Sequence, residues 1–382
     1  MDPRKYATLL AVVQESAAGR DGNARALLDR AIGDHLEAGA RAEDLHFYLF
    51  ARALTRRLAS GMGEEINLYL RQFQETQISL FNLVARHLPT VGLTAPLANE
   101  LLARFVGGHD EVTLLDIGIG SGHQETAMLR RLAQQGRLPK RLNVVAVEPD
   151  AGSLIEAQMG LFEASVELGI ELEFVPMHKV VEDMTEADWG EVAAFDCPLV
   201  VVAAFAAHHI QCTESDTLRD RIFARIRELD PDAVVLAEPS SNHHAADFVE
   251  RFKAAWHHFG LTFELIDELD VAPEEAAGMK MFFAREIEDI VGNAEATRFE
   301  RHEPVESWVA RLRRAGFTPY ADFEFARETR HDLVRVAAHE GYIGLDYADE
   351  TLVAVVCATS GVPAANRVRR ARRFAALQAV GG

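Results

Sequence analysis

The sequence predicts an α/β fold: a mostly parallel sheet of about seven strands, helices on both faces, an N-terminal helical cap and a later helical insertion. Three observations carry this prediction. Residues 1–105 show helical periodicity alone. From residue 112, short apolar runs alternate with helix-length stretches, the pattern of strand–helix–strand crossovers. The first such run, Val112-Thr-Leu-Leu115, leads into Asp116 and then Gly118, Gly120 and Gly122, a strand-to-helix corner. The chain therefore divides into a cap over 1–105 and a sheet domain over 106–382, with the insertion at about 245–300.

In the cap, Tyr6, Leu9, Leu10 and Val13 fall at i, i+3, i+4 and i+7, and Gly19 stops the helix. Leu27, Leu28, Ala31 and Ile32 form a second stripe, and Phe47, Phe50, Leu54 and Leu58 a third. Ile66, Leu70 and Phe73 start a fourth, which runs on through Leu80 and Val84 to Pro89. After the glycine corner comes a helix over 124–135, then a strand over Leu142–Val147 ending in Glu148. Asp150 caps the next helix, whose apolar stripe is Ile155, Met159, Phe162 and Val166. Glu171–Val175, Pro198–Ala204 and Ala233–Ala237 are the third, fourth and fifth strands; the fourth is apolar throughout, as a strand buried on both faces must be. Phe248–Asp270 and Met279–Val291 read as helices, and Pro304 opens another that stops at Gly316. Tyr342–Tyr347 and Leu352–Val356 form a hairpin with Asp349-Glu350 in its turn.

The glycine corner suits a nucleotide, because glycines let the backbone turn sharply and approach a ligand. Its third glycine sits one residue short of the dinucleotide fingerprint, and Asp116 would repel a diphosphate. Asp-x-Gly-x-Gly-x-Gly is instead the pattern of Rossmann-like class I methyltransferases that use S-adenosylmethionine. On that reading Asp116, Gly118, Gly120 and Gly122 hold the amino-acid end of the cofactor, and Glu148 accepts from the ribose hydroxyls. Val180 or Val181 would flank the adenine, and Glu182 would bond its amino group. A cap over the sheet's carboxyl edge excludes water and favours a small-molecule methyl acceptor. His208 and Glu238, at the ends of the fourth and fifth strands, are the candidate catalytic residues, and the candidate base is Glu238 or one of His208, His243 and His257. Asn242, His243, His257 and Arg285 are candidate substrate contacts, Arg285 being suited to a carboxylate. The alternative is a non-catalytic protein that senses a small ligand in the same pocket.

Composition narrows the partners. A net charge of −20 disfavours nucleic acid. The basic run Arg367–Arg373 reads as a solvated helix end. Three scattered cysteines without a Cys-x-x-Cys suggest neither a disulfide framework nor a metal site, and point to a reducing, cytoplasmic compartment. No apolar run approaches the roughly 18 residues of a membrane span. A homodimer is compatible with all of this.

Several stretches are distinctive when read together: Phe174-Val-Pro-Met-His-Lys-Val-Val-Glu-Asp183, Ala207-His-His-Ile210, Val235-Leu-Ala-Glu-Pro-Ser-Ser-Asn-His243, Phe248-Val-Glu-Arg-Phe252, Phe283-Ala-Arg-Glu-Ile287, Glu300-Arg-His-Glu303 with Trp308, and Ala315-Gly-Phe317. In order and spacing they resemble the GRAS family, plant transcriptional regulators with bacterial relatives on a methyltransferase-like Rossmann fold. Plant members typically carry a degraded glycine loop. The loop here is intact and accompanied by Glu148. The resemblance therefore implies a bacterial member that kept cofactor binding and works as an enzyme, without the family's transcriptional role.

Overall fold

The computed structural model describes residues 2–37, 44–59, 77–211 and 217–361. Its strands are β1 (Glu111–Ile117), β2 (Arg141–Val147), β3 (Glu171–Met177), β4 (Leu199–Ala204), β5 (Ala233–Pro239), β6 (Thr318–Pro319), β7 (Arg335–His339), β8 (Tyr342–Tyr347) and β9 (Glu350–Thr359). They form one sheet in the order β3-β2-β1-β4-β5-β9-β8-β7, with the two-residue β6 pairing to β9. β1 to β5 are parallel, and β9, β8 and β7 follow antiparallel. The sheet is thus mostly parallel, but it has nine strands among the described residues rather than about seven. β6 is too short, and β7 too weakly alternating and too exposed, to show in an apolar pattern. Ala348 and Asp349 turn the β8–β9 hairpin, both at positive φ (50° and 64°), the geometry that matches strand twist. Glu350 already belongs to β9.

Side chains alternate across β1. Val112 and Leu114 join the core that also contains Leu9, Phe50 and Leu54 of the N-terminal helices. Leu115 and Ile117 join a second core on the opposite face, with Trp189, Phe223 and Trp308. The N-terminal helices are α1 (Pro3–Ala17), α2 (Asp21–Glu37), α3 (Leu45–Leu58), α4 (Gln77–His87) and α5 (Thr94–Val106). The third expected stripe is fully buried on α3, and Leu80 and Val84 are buried on α4. Ile66, Leu70, Phe73, Cys212 and the run Arg367–Arg373 lie outside the described residues.

The crossover helices are α6 (His123–Gln134), α7 (Ala151–Leu168), α8 (Glu186–Ala194) and α9 (Leu218–Glu228). Asp150 does cap α7, its Oδ1 accepting from Ser153 N at 2.8 Å. The expected apolar stripe of α7, however, faces solvent: Ile155, Met159, Phe162 and Val166 are 58–68% exposed. Leu154, Ala157, Leu161 and Ala164 are buried instead. The helix turns its alanine-bearing side inward because only small residues allow this approach. A Cβ on Gly122 would meet Ala157 Cα at 3.0 Å.

Beyond β5 the chain forms α10 (Phe248–Asp267), α11 (Pro273–Phe282) and, before β6, α12 (Val305–Arg314). The helix expected over Met279–Val291 is broken. α11 starts earlier, at Pro273, with Glu275 accepting from Ala272 N at 3.1 Å, and separate short turns cover Ala284–Ile287 and Glu288–Gly292. No helix among the described residues is long and apolar enough to cross a membrane.

Candidate functional site

Polar groups gather at the carboxyl ends of β1, β2, β4 and β5, where ligands bind in parallel sheets. Gly118, Gly120 and Gly122 all adopt positive φ (81°, 54° and 71°). A Cβ on Gly118 would lie 2.5 Å from Ala206 Cβ. Gly118→Val is therefore expected to cost about 2–4 kcal/mol, from left-handed strain plus overpacking, read by denaturant unfolding. Glu148 spans the corner, its Oε2 accepting from Gly120 N at 3.0 Å and its Oε1 from Asp150 N at 2.8 Å. Asp116 is buried behind the loop beside Glu125. Burial, then the neighbouring Glu125, holds the Asp116 carboxyl well above the usual carboxylate range, and burial raises Glu125 as well. Burial thus biases both carboxyls beneath the loop towards their neutral form.

A cleft of about 270 Å³ opens in front, with Gly118, Glu148, Val181, Glu182, Phe205 and Ile210 among its lining residues. Asp116, Gly120 and Gly122 are not on its wall. Glu182 Oε1 already accepts from Gln211 N at 2.9 Å. Phe205, at positive φ (53°) where β4 ends, and His209 also wall a second cavity of about 250 Å³.

The second cavity is lined by a buried network. His208 follows β4, and its Nδ1 lies 2.5 Å from Glu238 Oε2 on β5. Glu238 Oε1 accepts from Ala206 N (3.2 Å) and Ala207 N (2.8 Å), fixing the turn that carries His208. Burial alone would lower the His208 pKa, but Glu238 and Glu300 outweigh it and raise it to about 10. Glu300 and His302 come from the segment before α12. Asp289 Oδ2 holds that segment by accepting from Phe299 N (2.8 Å) and Glu300 N (2.7 Å). Burial, then His208, lowers His302 to about 4. Glu286 also reaches the cavity, its pKa raised to about 8 by burial and then by Glu300.

The structure sorts the expected site residues. His208 lines this cavity, Glu238 lies behind it, and His243 is wholly buried against His302. Asn242, His257 and Arg285 are exposed and line neither cavity. In two of these cases the neighbour in sequence takes the inward place: His258 rather than His257, and Glu286 rather than Arg285. The sequence reading missed Glu286, Glu300 and His302 as cavity residues.

Residues 6–354 match the GRAS domain family. The chain belongs to that family. The GRAS family protein RAD1 of Lotus japonicus is 25% identical over 93% of this chain and 74% of its own length. Scarecrow-like transcription factor PAT1 of Arabidopsis thaliana is 26% identical over 62% of this chain and 50% of its own. The crystal structure of SCL7 in Oryza sativa superposes with a TM-score of 0.73 at 22% identity, covering 94% of this chain and 100% of that one, which establishes the shared fold. These findings overturn the expected function. PAT1 is named as a transcription factor, which contradicts the expected S-adenosylmethionine-dependent methyltransferase with a small-molecule substrate, and the intact glycine loop is not by itself evidence for an enzyme. The loop's geometry explains the error: packing against Ala206 and Ala157 demands Gly118 and Gly122 whether or not chemistry follows.

Proposed function

We propose that this GRAS protein is a cytoplasmic regulatory protein that works by contacting other proteins, and that its glycine-loop cleft holds S-adenosylmethionine or S-adenosylhomocysteine as a bound ligand. The observation that carries the contact reading is the exposed stripe Ile155, Met159, Phe162 and Val166 on α7. A contiguous apolar patch with a polar rim marks a protein interface. Glu156, Glu163 and Glu167 lie beside it, so the surface it fits is an amphipathic helix with basic flanks. The name of the relative PAT1 as a transcription factor agrees with a regulatory output. The ligand reading is supported by Gly118, Glu148, Val181 and Glu182 on one cleft.

Two measurements test this. The Met159→Asp/Phe162→Asp chain is expected to keep its folding stability within about 0.5 kcal/mol, as surface changes do. In cells it is expected to lose the transcript changes that depend on the wild-type chain. If the double variant complements a deletion as fully as wild type, the contact reading fails. Calorimetry with S-adenosylhomocysteine is expected to show one site, abolished by Gly118→Val. Absence of heat at millimolar ligand would remove the ligand from the proposal.

A further inference from the structure

We propose that His208, Glu300 and His302 bind a divalent first-row transition cation, with its open side on the cavity at the ends of β4 and β5. The three donor atoms lie within 4.8 Å of one another. Glu300 Oε2 is 3.1 Å from His208 Nε2 and 3.4 Å from His302 Nε2. Ligands bound at about 2.1 Å in tetrahedral to octahedral geometry stand about 3.0–3.4 Å apart, so both spacings already suit a shared ion.

The orientation of the two imidazoles is independent support. Metal-binding histidines are usually held by a partner on the ring nitrogen that does not face the ion. Here His208 Nδ1 is held by Glu238 Oε2, and His302 Nδ1 lies 2.7 Å from His243 Nδ1. His243 Nε2 in turn is 2.9 Å from Ser241 Oγ. Of the two proton assignments that satisfy that chain, the one compatible with a bound ion has His302 donate to His243 and His243 donate to Ser241. It leaves the His302 Nε2 lone pair pointing at Glu300. Glu300 Oε2 itself is shut off from solvent and meets no donor in hydrogen-bonding geometry. Among the described residues, the ion pairs of Glu238 and Glu300 are all with histidines.

The local sequence explains how the donors meet. In an extended segment, residues two apart point the same way. Glu300 and His302 therefore face the cavity together, while Arg301 turns to Glu295 and Glu303 to Arg219. Two imidazoles and one carboxylate suit Zn²⁺ or Fe²⁺ better than Ca²⁺ or Mg²⁺. The remaining coordination positions would face a cavity walled by Phe205, Thr262, Phe283 and Glu286, with room for water or a small oxygen or nitrogen ligand. This inference stands apart from the glycine-loop cleft and its ligand.

The probe is Co²⁺ alone. The full chain, stripped with EDTA and titrated with Co²⁺, is expected to take up one equivalent, show visible absorption of an imidazole–carboxylate site, and melt at a higher temperature than the stripped chain. Glu238→Gln, a change in a positioning residue, is expected to weaken uptake by about 10- to 100-fold. His302→Gln is expected to abolish the absorption, while the surface variant His257→Gln leaves it intact. If His302→Gln does not fold, the wild-type spectrum and melting shift decide alone. No uptake by the wild-type chain at micromolar free Co²⁺, or uptake unchanged in a folded His302→Gln chain, overturns the site.

Discussion

Glu303→Ala is expected to destabilise the chain by about 3–5 kcal/mol, the range for breaking a buried ion pair from one side. Glu303 is buried between two arginines. Its Oε1 accepts from Arg219 Nη1 at 2.5 Å, and Arg311 reaches both its oxygens, at 2.8 and 2.7 Å. Arg219 is fully buried and lies over the Trp308 ring at 4.9 Å. Without Glu303, Arg219 keeps, among the described residues, only backbone carbonyls and the Trp308 ring, whereas Arg311 still has Asp220 at 2.9 Å. The loss should therefore fall mainly on Arg219. Adding Arg219→Met to Glu303→Ala is expected to recover a good part of it, because the uncompensated charge goes too. Urea unfolding of the single and double variants checks this. A double variant as unstable as the sum of the two single ones would mean the residues do not act as a pair. The same arginine donates to the carbonyls of His208 (2.7 Å) and Ile210 (3.3 Å), so the turn that places His208 depends on it.

These ion pairs mark where sequence reading stopped. The parallel half of the sheet was legible because β1, β2, β4 and β5 are largely apolar, as burial on both faces requires, while the edge strand β3 alternates Leu172 and Phe174 with Glu171 and Glu173. The glycine corner and Glu148 were legible because local chain geometry dictates their residue types. α7 was misread because both of its faces are apolar, and periodicity cannot tell which one packs. The choice was made by Ala157 fitting against Gly122, a contact between different elements. The His208–Glu300–His302 cluster was invisible for a similar reason. His208 and Glu238 end neighbouring strands, but Glu300 and His302 arrive from an irregular segment shaped by Asp289. The choice between Arg285 and Glu286 was likewise set by how one short turn meets the cavity. Function was misjudged at a different level. A glycine loop records what the fold requires of its backbone, and that requirement is the same in a regulator as in an enzyme.

Acid is expected to weaken the helical layer through His46, by about 2 kcal/mol between pH 7 and pH 5. His46, on α3, packs against Trp256 (4.0 Å, tilted) and edge-on against Phe263 (5.5 Å), centroid to centroid. Its Nε2 is closed off from solvent and has no hydrogen-bond partner among the described residues. Burial first, and then nearby positive charge including Lys280, lowers its pKa from 6.5 to about 3. The unfolded chain therefore takes up a proton below pH 6.5 that the folded chain refuses, and stability falls as pH drops from 6.5 towards 3. The opposite sign holds for His208. In the cation-free chain the folded state keeps its proton up to about pH 10, so its contribution is complete below pH 6.5 and fades as pH rises to 10. Other buried groups titrate in the same window, so the informative quantity is a difference. The stability of wild type minus that of His46→Phe, measured by urea unfolding, is expected to fall steadily from pH 7 to pH 5. Phenylalanine keeps the aromatic contacts but has nothing to protonate. A difference that stays flat across that range would mean His46 is protonated in the folded chain, with a solvent path or partner for its Nε2.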